Sequence, residues 1–447
     1  MDVKPGLRIA VVGSGISGLS AAWLLSQKHD VTLFEQSSRP GGHSNTVDAP
    51  GPNGPIPVDT GFIVYNERTY PNLIAMFDHL GVATQESNMS FAISLDGGKF
   101  EYAGNNIGSL FAQKRNAVSP RFWSMLSDLL RFYREAPSDI AALDDSVTLG
   151  DYLQSRNYGR AFQEDHLLPM ASAVWSATPQ TLMSYPARAF IRFNDNHGLL
   201  QISNRPAWRT VTGGSRNYVS RLLDASRAKL SLNTQIAFIV RNGHDIVVHD
   251  VKGNTATFDH VVMACHTDQA LSLLEAPSVA EYEVLSKIRY GKNRAILHTD
   301  TSLMPRRKNV WSSWNYIGNR NDVRACPTIT YWMNLLQDIP QSSPLFVTLN
   351  PLHEPKPESI IHSEIYHHPI FDPGAMNAQK RAWLLQGHKN TWYCGAWMGS
   401  GFHEDGLQAG LAVAEALGGV RRPWTVANES GRLSLPTVLS PVQEQVA

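Results

Sequence analysis

A glycine-rich turn near the N-terminus carries the first chemistry that residue types and spacing indicate. Residues 7–12 form a short apolar run rich in β-branched side chains, which predicts a buried strand. The turn at residues 13–18 follows at once, and residues 19–27 then show helical spacing. Residues 30–34 predict a second strand that ends at Glu35. The order strand, turn, helix, strand and acid predicts a βαβ nucleotide-binding unit.

Each residue of this unit has a physical task. Gly13 permits the tight turn, Gly15 lets the backbone approach a diphosphate, and Gly18 lets the helix pack closely on the strand. The free N–H groups at the start of the helix bind the diphosphate, and Glu35 can accept hydrogen bonds from a ribose.

A second glycine pair, Gly41-Gly42, lies shortly after the acid. It would let the backbone approach a longer ligand, but residues 38–44 are equally typical of a surface turn. The spacing alone leaves both interpretations open.

The C-terminal part of the chain repeats the pattern of strand, glycine turn and helix. Residues 392–396 predict a short strand, residues 399–406 are glycine-rich, and residues 407–417 predict a helix that stops at Gly418. The partial positive charge at the start of such a helix would stabilise an anionic group, such as the edge of a reduced flavin.

The polar run His403-Glu404-Asp405 has two interpretations. Glu404 or Asp405 could cap the helix, or His403 or Glu404 could act as a general base. Tyr65 could likewise face a substrate or simply pack in the core, and Asp59 could contact a ligand or fix its own loop. No histidine stands four residues after His403, so we predict no metal site.

The order of these motifs resembles the superfamily of amine oxidases and phytoene desaturases over residues 1–420. Besides the motifs above, the resemblance rests on the pair Gly213-Gly214, on residues 259–264 (D-x-V-V-x-A) and on Tyr393-x-Gly395. It implies an α/β fold, in which a Rossmann-type FAD-binding domain is interleaved with an α+β substrate domain. It also implies one non-covalent FAD. The implied FAD contacts are Gly13, Ser14, Gly15, Ser17, Gly18, Glu35, Gln36, Gly41, Gly42, His43, Ser44, Thr60, Gly61, Phe62, Ile236, Gly395, Phe402, His403, Glu404, Gly406 and Leu407, and the predicted catalytic residues are His403, Glu404 and Tyr65.

The resemblance also implies a division of the chain into domains. The predicted segments are residues 1–104, 205–289 and 386–420 for a discontinuous FAD-binding domain, 105–204 for a helical cap, 290–385 for a mixed substrate sheet, and 421–447 for a polar tail over the surface.

A narrower resemblance concerns the substrate. Residues 41–47, 58–66 and 401–406 are similar to a bacterial subgroup that modifies methylated or cyclopropanated acyl chains, including desaturases of the methylated furan fatty acid pathway. His43 stands where amine oxidases usually carry arginine. The resemblance implies that a methyl-branched chain of a membrane phospholipid loses a hydride to the flavin and a proton to a base, which gives a conjugated diene.

Other functions remain open. A flavin amine oxidase would need an aromatic cage, for which Tyr393 and Trp397 are candidates. A carotenoid-type desaturase and a non-catalytic flavin- or lipid-binding protein are further alternatives. The chain shows no second dinucleotide fingerprint, so we expect oxygen or a quinone, rather than a nicotinamide, as the redox partner of the flavin.

Composition narrows the choice of partners. The 447 residues include 39 basic and 39 acidic side chains, so overall charge gives no reason to expect nucleic acid. The three cysteines form no disulfide framework, and we expect a cytoplasmic protein without a signal peptide. The oligomeric state stays open.

Two basic, aromatic segments are candidates for contact with an anionic membrane surface, at the inner face of the cell membrane. They are the amphipathic residues 122–135, flanked by further basic residues, and Arg306-Arg307-Lys308 with Trp311 and Trp314. The first segment can equally be an ordinary core helix with a solvated basic face.

Overall fold

The computed structural model describes residues 5–243, 245–320, 322 and 326–436. The strands of this part, numbered in chain order, are β1 Arg8–Val12, β2 Asp30–Phe34, β3 Thr46–Ala49, β4 Ile56–Asp59, β5 Tyr65–Asn66, β6 Thr84–Glu86, β7 Phe91–Leu95, β8 Phe100–Ala103, β9 Trp208–Val211, β10 Lys229–Ser231, β11 Ile236–Asn242, β12 Asp245–Asp250, β13 Thr255–Phe258, β14 His260–Met263, β15 Arg289–His298, β16 Trp314–Gly318, β17 Thr328–Trp332, β18 Phe346–Leu349, β19 Ile360–Ile370 and β20 Thr391–Tyr393.

The α-helices are α1 Ile16–Leu25, α2 Pro71–Leu80, α3 Ile107–Leu110, α4 Pro120–Asp139, α5 Leu149–Ser155, α6 Arg160–Phe162, α7 Leu168–Trp175, α8 Pro179–Met183, α9 Ala187–Asn196, α10 Arg216–Asp224, α11 Thr267–Leu273, α12 Val279–Leu285, α13 Met333–Leu336, α14 Pro373–Ala382 and α15 His403–Gly418. A π-helical turn spans Gln163–Leu167, and short 3-10 helices include Lys114–Val118 and Lys308–Val310.

A five-stranded parallel sheet forms the centre of the first domain, in the order β10-β2-β1-β14-β20. Ile9, Ala10 and Val11 of β1 are fully buried, as expected for a parallel strand covered on both faces. The predicted Rossmann-type architecture is confirmed, and β1 leads directly into the glycine turn and α1.

Helices α1 and α15 pack side by side because glycines remove the side chains between them. A Cβ at Gly410 would lie 2.2 Å from the carbonyl oxygen of Ser17, and one at Gly418 would lie 2.6 Å from Leu25. The two helices therefore run in the same direction, with their N-termini together. Helix α15 begins at His403, one turn before the predicted start, so the polar run lies inside its first turn.

A seven-stranded sheet forms the second domain, in the order β19-β15-β18-β17-β16-β7-β8. Its pairs are antiparallel except for β16 and β7, where Ile93 pairs with Tyr316 in parallel. We assigned residues 1–104 to the FAD-binding domain, but β7 and β8 belong to this sheet. Local spacing does not predict this pairing, because a strand's sheet is decided by its distant partner.

Helices α4 to α9, which lie within the segment predicted as a helical cap, share an apolar core of their own. In α4 the buried side chains are Phe122, Met125, Phe132 and Ala136, whereas Trp123 and Leu130 are each 50% exposed. The observed spacing of three and seven residues keeps one face of the helix on the core.

The first part of the C-terminal tail does not merely cover the surface. Arg422 is 2% exposed, pairs with Glu415 at 2.8 Å and donates to the side-chain oxygen of Asn72 at 2.9 Å. Trp424 stacks on Trp23 with ring centroids 5.8 Å apart. The tail up to residue 436 is thus packed on the first domain, and residues 437–447 lie outside the described residues.

None of the helices in the described ranges combines the length and the apolar character needed to cross a bilayer.

Candidate functional site

In the first glycine turn, Gly13 and Gly18 are needed for close packing, whereas Gly15 leaves space for a ligand. Gly13 has φ +103°, and a Cβ at Gly18 would lie 1.9 Å from the carbonyl oxygen of Gly13. A Cβ at Gly15 would meet no atom within 4 Å. The backbone therefore leaves open space directly in front of the N-terminus of α1, where a diphosphate would find free N–H groups.

The carboxylate of Glu35 is fixed beside this turn. It accepts the N–H and the hydroxyl of Ser14 at 3.1 Å and 2.5 Å, and the N–H of Ser37 at 2.8 Å. Thr234 donates its N–H to the carbonyl of Glu35, which brings the buried Ile236 at the start of β11 to the same end of the sheet. Gln36 is exposed, whereas the hydrogen-bond partners of the buried carboxylate are Ser14 and Ser37.

The pair Gly41-Gly42 rests on the first turn and is not an isolated surface turn. The N–H of Gly41 donates to the carbonyl of Ser14 at 3.0 Å. A Cβ at Gly42 would lie 3.1 Å from the Cα of Gly15, and both glycines have positive φ. The pair therefore lies at the edge of the open space, where a ligand would contact it.

His43 follows this pair, and one of its ring nitrogens makes no hydrogen bond to the described residues. This nitrogen, Nε2, is buried. Burial holds the pKa of His43 well below its usual value, and the rings of Tyr366 and His368 lie 5.0 Å and 5.5 Å away. A buried polar atom without a partner costs about 1–3 kcal/mol, which indicates a ligand or water at this position.

Thr60, Gly61 and Phe62 hold the loop against His43. A Cβ at Gly61 would lie 2.1 Å from the carbonyl oxygen of His43, which also accepts the N–H of Phe62 at 2.8 Å. The hydroxyl of Thr60 lies 2.8 Å from that of Tyr366. These contacts need glycine at position 61 and place Phe62 against α15.

His403 is held from three sides. Its ring stacks on Phe62 with centroids 3.8 Å apart, and its Nε2 lies 2.7 Å from the Tyr218 hydroxyl and 3.3 Å from the Ser44 hydroxyl. Burial lowers the pKa of His403 to about 3. The imidazole is therefore neutral and fixed, which suits a positioning residue at the start of α15.

Glu404 caps a different helix from the one we expected. It is fully buried and accepts the N–H groups of Asn72 and Leu73, at 3.1 Å and 2.9 Å, in the first turn of α2. The side-chain amides of Asn72 and Gln408 donate to the same carboxylate. Burial raises the pKa of Glu404, and these hydrogen bonds oppose the rise. Both carboxylate oxygens are engaged in structural bonds, so the geometry gives Glu404 a capping role.

Three further predicted residues lie where β20 passes into α15. A Cβ at Gly395 would lie 2.4 Å from the ring of Trp397, and one at Gly406 would lie 2.9 Å from the hydroxyl of Ser17. Leu407 is fully buried in the core. Gly406 lets the two helix N-termini approach each other, while Gly395 and Leu407 support the site through packing.

Tyr65 and Asp59 have structural contacts. Tyr65 is 2% exposed and packs edge-on against Phe77, with centroids 5.4 Å apart. Asp59 accepts the hydroxyl of Thr46 at 2.6 Å and the N–H of Ser215 at 2.9 Å, and burial raises its pKa to about 6. The packing interpretation suits Tyr65, and Asp59 ties β4 to the start of α10.

The two residues considered for an amine cage lie elsewhere. Tyr393 is 1% exposed and donates its hydroxyl to Glu281 at 2.7 Å, and Trp397 is 3% exposed in the same core. Both side chains stabilise the parallel-sheet domain, so they form no cage at the open space.

A group of aromatic side chains connects the helical cap to the start of α15. Trp175 and Phe193 have ring centroids 4.7 Å apart, and Phe193 stacks on Phe402 at 4.8 Å. We name these connected rings the cap aromatic cluster, which consists of Trp175, Tyr185, Phe190, Phe193, His197 and Phe402.

His197 of this cluster was not among the predicted site residues. Its Nδ1 lies 2.8 Å from the carbonyl oxygen of Phe193, so Nδ1 carries the proton that this bond requires. Its Nε2 is buried and without a partner in the part of the chain that the structure describes, as is Nε1 of Trp175. Burial lowers the pKa of His197 to about 3. A lone histidine at a helix end gives no sequence signal for this arrangement.

The donor set fits FAD. Gly15 leaves space at one helix N-terminus, Glu35 stands beside it, and His43 offers an unsatisfied nitrogen. The N-terminus of α15 adds partial positive charge close to Phe402 and His403.

Comparisons with known proteins agree with this geometry. The family described as "Flavin containing amine oxidoreductase" matches residues 16–342. A comparison with curated proteins finds no match.

Several solved structures share the fold over 92% of this chain. They include a protein assigned as a protoporphyrinogen oxidase from Exiguobacterium sp. 255-15 (16% identity, 98% of that chain, TM-score 0.66). A CLA-producing fatty acid isomerase from P. acnes has 15% identity over 98% of its chain, with a TM-score of 0.64. Cyclohexylamine oxidase from Brevibacterium oxydans IH-35A has 17% identity over 100% of its chain, with a TM-score of 0.65. At such identities the similarity shows the fold alone.

Proposed function

Because the chain belongs to the family of flavin containing amine oxidoreductases, we propose that this FAD-dependent oxidoreductase desaturates a methyl-branched acyl chain of a membrane phospholipid. The observation that carries the proposal is the cap aromatic cluster, which places apolar rings and a neutral histidine against Phe402, the residue that precedes α15. When bound, FAD supplies a hydride acceptor.

An apolar substrate suits this cluster. Trp175, Phe190 and Phe193 are at most 9% exposed, and aromatic walls of this kind exclude water from a chain that carries no charge. A structure of the same fold is described as a fatty acid isomerase, which supports an acyl chain as a substrate class in this architecture.

His197 is the proton acceptor in this proposal. The substrate loses a hydride from its branched carbon and a proton from the neighbouring carbon, and the two electrons of that second C–H bond form the new double bond. The proton passes to Nε2 of His197, whose opposite nitrogen is fixed by the Phe193 carbonyl. With a pKa of about 3 the ring is a weak base, which suffices for a carbon beside a developing cation.

The residues first considered for catalysis have other roles in the proposal. His403 positions Phe62 and the loop at Ser44, Glu404 caps α2, and Tyr65 packs in the core. Oxygen or a quinone takes the electrons after turnover.

Anaerobic mixing with a defined lipid tests the proposed function. The purified holoenzyme is mixed with phospholipid that carries methyl-branched monounsaturated chains, and the flavin absorbance is followed. We expect bleaching, with a conjugated diene in the recovered acyl chains. Bleaching by cyclohexylamine or putrescine but not by lipid would overturn the proposal in favour of an amine oxidase. Bleaching only by a polyene would indicate a carotenoid-type enzyme. No bleaching by any of these compounds would indicate a non-catalytic protein.

Variants of His197 test the proton acceptor separately. We expect H197A to retain FAD and to lose at least about a hundredfold in the rate of reduction by lipid, with partial rescue by added imidazole. H353Q changes an exposed histidine and is the matched control. Undiminished reduction in H197A would remove His197 from the mechanism.

A further inference from the structure

We propose that one face of the protein docks on an anionic phospholipid bilayer. The proposal rests on the proposed function, because it supplies the lipid substrate to the site. We name this surface the basic-apolar face; its residues are Lys99, Lys114, Arg115, Arg306, Arg307 and Lys308, together with Ile107, Val118 and Trp123.

Four of the six basic side chains line a surface pocket of about 520 Å³: Lys99, Lys114, Arg115 and Arg307. Beside the pocket, the fully buried carboxylate of Glu101 forms an ion pair with Arg307 at 2.7 Å. Within the described ranges, the other five basic side chains have no carboxylate at ion-pair distance. A protein with zero formal net charge thus carries a local excess of positive charge here.

Large apolar side chains project from the same face. Ile107 is 79% exposed, Val118 is 82% exposed, and Trp123 is 50% exposed. Val118 ends the 3-10 helix that carries Lys114 and Arg115, so apolar and basic groups lie within one turn. The indole of Trp123 donates to the carbonyl of Ala117 at 2.9 Å, which holds the ring in place.

The two sequence segments of the face are joined by packing. Helix α3, which begins at Ile107, contacts the 3-10 helix Lys308–Val310. Val310 is fully buried against Ala92 and Ala103. The side chain of Arg306 lies over Gly98, where a Cβ would meet its Cδ at 2.6 Å. Residues about two hundred positions apart therefore form one continuous surface.

The proposed face includes only part of each segment that the sequence predicted as a membrane contact. Trp311 and Trp314 are half-buried and pack edge-on against Trp332 and Tyr331, so the proposed face does not include them. In α4 the face uses Trp123, while Phe132 and Ala136 of the same helix pack in the core of the cap.

A bilayer fits this mixture better than a polyanion does. The basic groups can reach the phosphates of anionic lipids while the apolar side chains enter the boundary between headgroups and acyl chains. A nucleic acid would match the charge but would leave Ile107 and Val118 in water.

Vesicle flotation of the full-length holoenzyme tests the proposal. The probes are vesicles of phosphatidylcholine alone and of equal parts phosphatidylcholine and phosphatidylglycerol. We expect binding only to the second kind, weakened by added salt. K114E/R115E should weaken binding at least about tenfold, and I107S/V118S should weaken it several-fold.

Matched controls change exposed residues elsewhere. K252E/K287E and V251S/V279S replace exposed basic and apolar side chains outside the face, and both should bind like the parent. Equal binding by K114E/R115E and the parent would overturn the docking face, as would binding to RNA without binding to vesicles.

Activity on detergent-dispersed lipid separates this proposal from the proposed function. If both hold, K114E/R115E loses turnover on vesicles but keeps it on dispersed lipid. If the proposed function fails, neither form of lipid is oxidised, while flotation still decides the docking face.

Discussion

The phenolic oxygen of Tyr218 lies 2.7 Å from Nε2 of His403 and 2.5 Å from the hydroxyl of Ser44. This bridge joins α10 of the middle segment, the loop after the first glycine pair and the first turn of α15. All three parts of the interrupted flavin site therefore meet at one buried phenol.

Replacing Tyr218 with phenylalanine removes the bridge and leaves the ring. We expect Y218F to lower the free energy of unfolding by about 1 kcal/mol, because Ser44 and His403 lose a buried partner. The dissociation constant of FAD should rise about fivefold. Denaturant unfolding and FAD titration measure both changes. Y282F alters an exposed tyrosine, and an equal loss in that control would refute the role of the bridge.

Replacing Glu404 with glutamine distinguishes a cap from a base. Glutamine sets an amide N–H₂ against the donors of Asn72 and Leu73, so E404Q should lower the free energy of unfolding by about 2 kcal/mol. At a temperature where the variant is folded, reduction of the flavin by substrate should be unchanged. E275Q, at an exposed position, serves as the control. A stable E404Q with slow reduction would restore Glu404 as a base.

Replacing Gly15 with alanine tests the space in front of α1. Gly15 has φ −65° and an added Cβ meets nothing within 4 Å, so the apoprotein should keep its melting temperature. The methyl group would enter the diphosphate space and weaken FAD binding about tenfold or more, or about 1.4 kcal/mol. G104A, another open position, should bind FAD normally. Normal FAD affinity in G15A would show that the diphosphate lies elsewhere.

Acid should destabilise the fold through buried histidines. Burial lowers the pKa to about 3 or 4 in His166, His197, His266, His298, His368 and His403. In the unfolded chain these imidazoles bind protons near pH 6.5, whereas in the folded chain they stay neutral down to about pH 4. They therefore leave the free energy of unfolding unchanged above pH 6.5 and lower it as the pH falls towards 4. Asp59 acts in the opposite direction, because its pKa is raised to about 6.

The histidines outnumber Asp59, so the melting temperature should fall steadily between pH 6.5 and pH 5. Each histidine contributes at most about 1.4 kcal/mol per pH unit in this range. Calorimetry of the holoenzyme at several pH values measures the slope. A constant melting temperature between pH 7 and pH 5 would contradict the prediction.

The sequence by itself determined the nucleotide-binding unit. Strand β1, the glycine turn, α1, β2 and Glu35 all follow within one short segment, and their contacts are set by local spacing. The second helix N-terminus was also predictable, because glycines at positions 399 to 406 precede a clear helical pattern. Only its start, at His403, was placed one turn too late.

Only the tertiary structure decided what the polar residues do. Glu404 caps a helix that lies 332 residues earlier in the chain, and β7 pairs with a strand that follows it by more than two hundred residues. His197 became a candidate because its Nε2 is buried without a partner beside Phe402, which is a property of packing. Residue spacing predicts local geometry, whereas burial and the choice of distant partners arise only when the chain folds on itself.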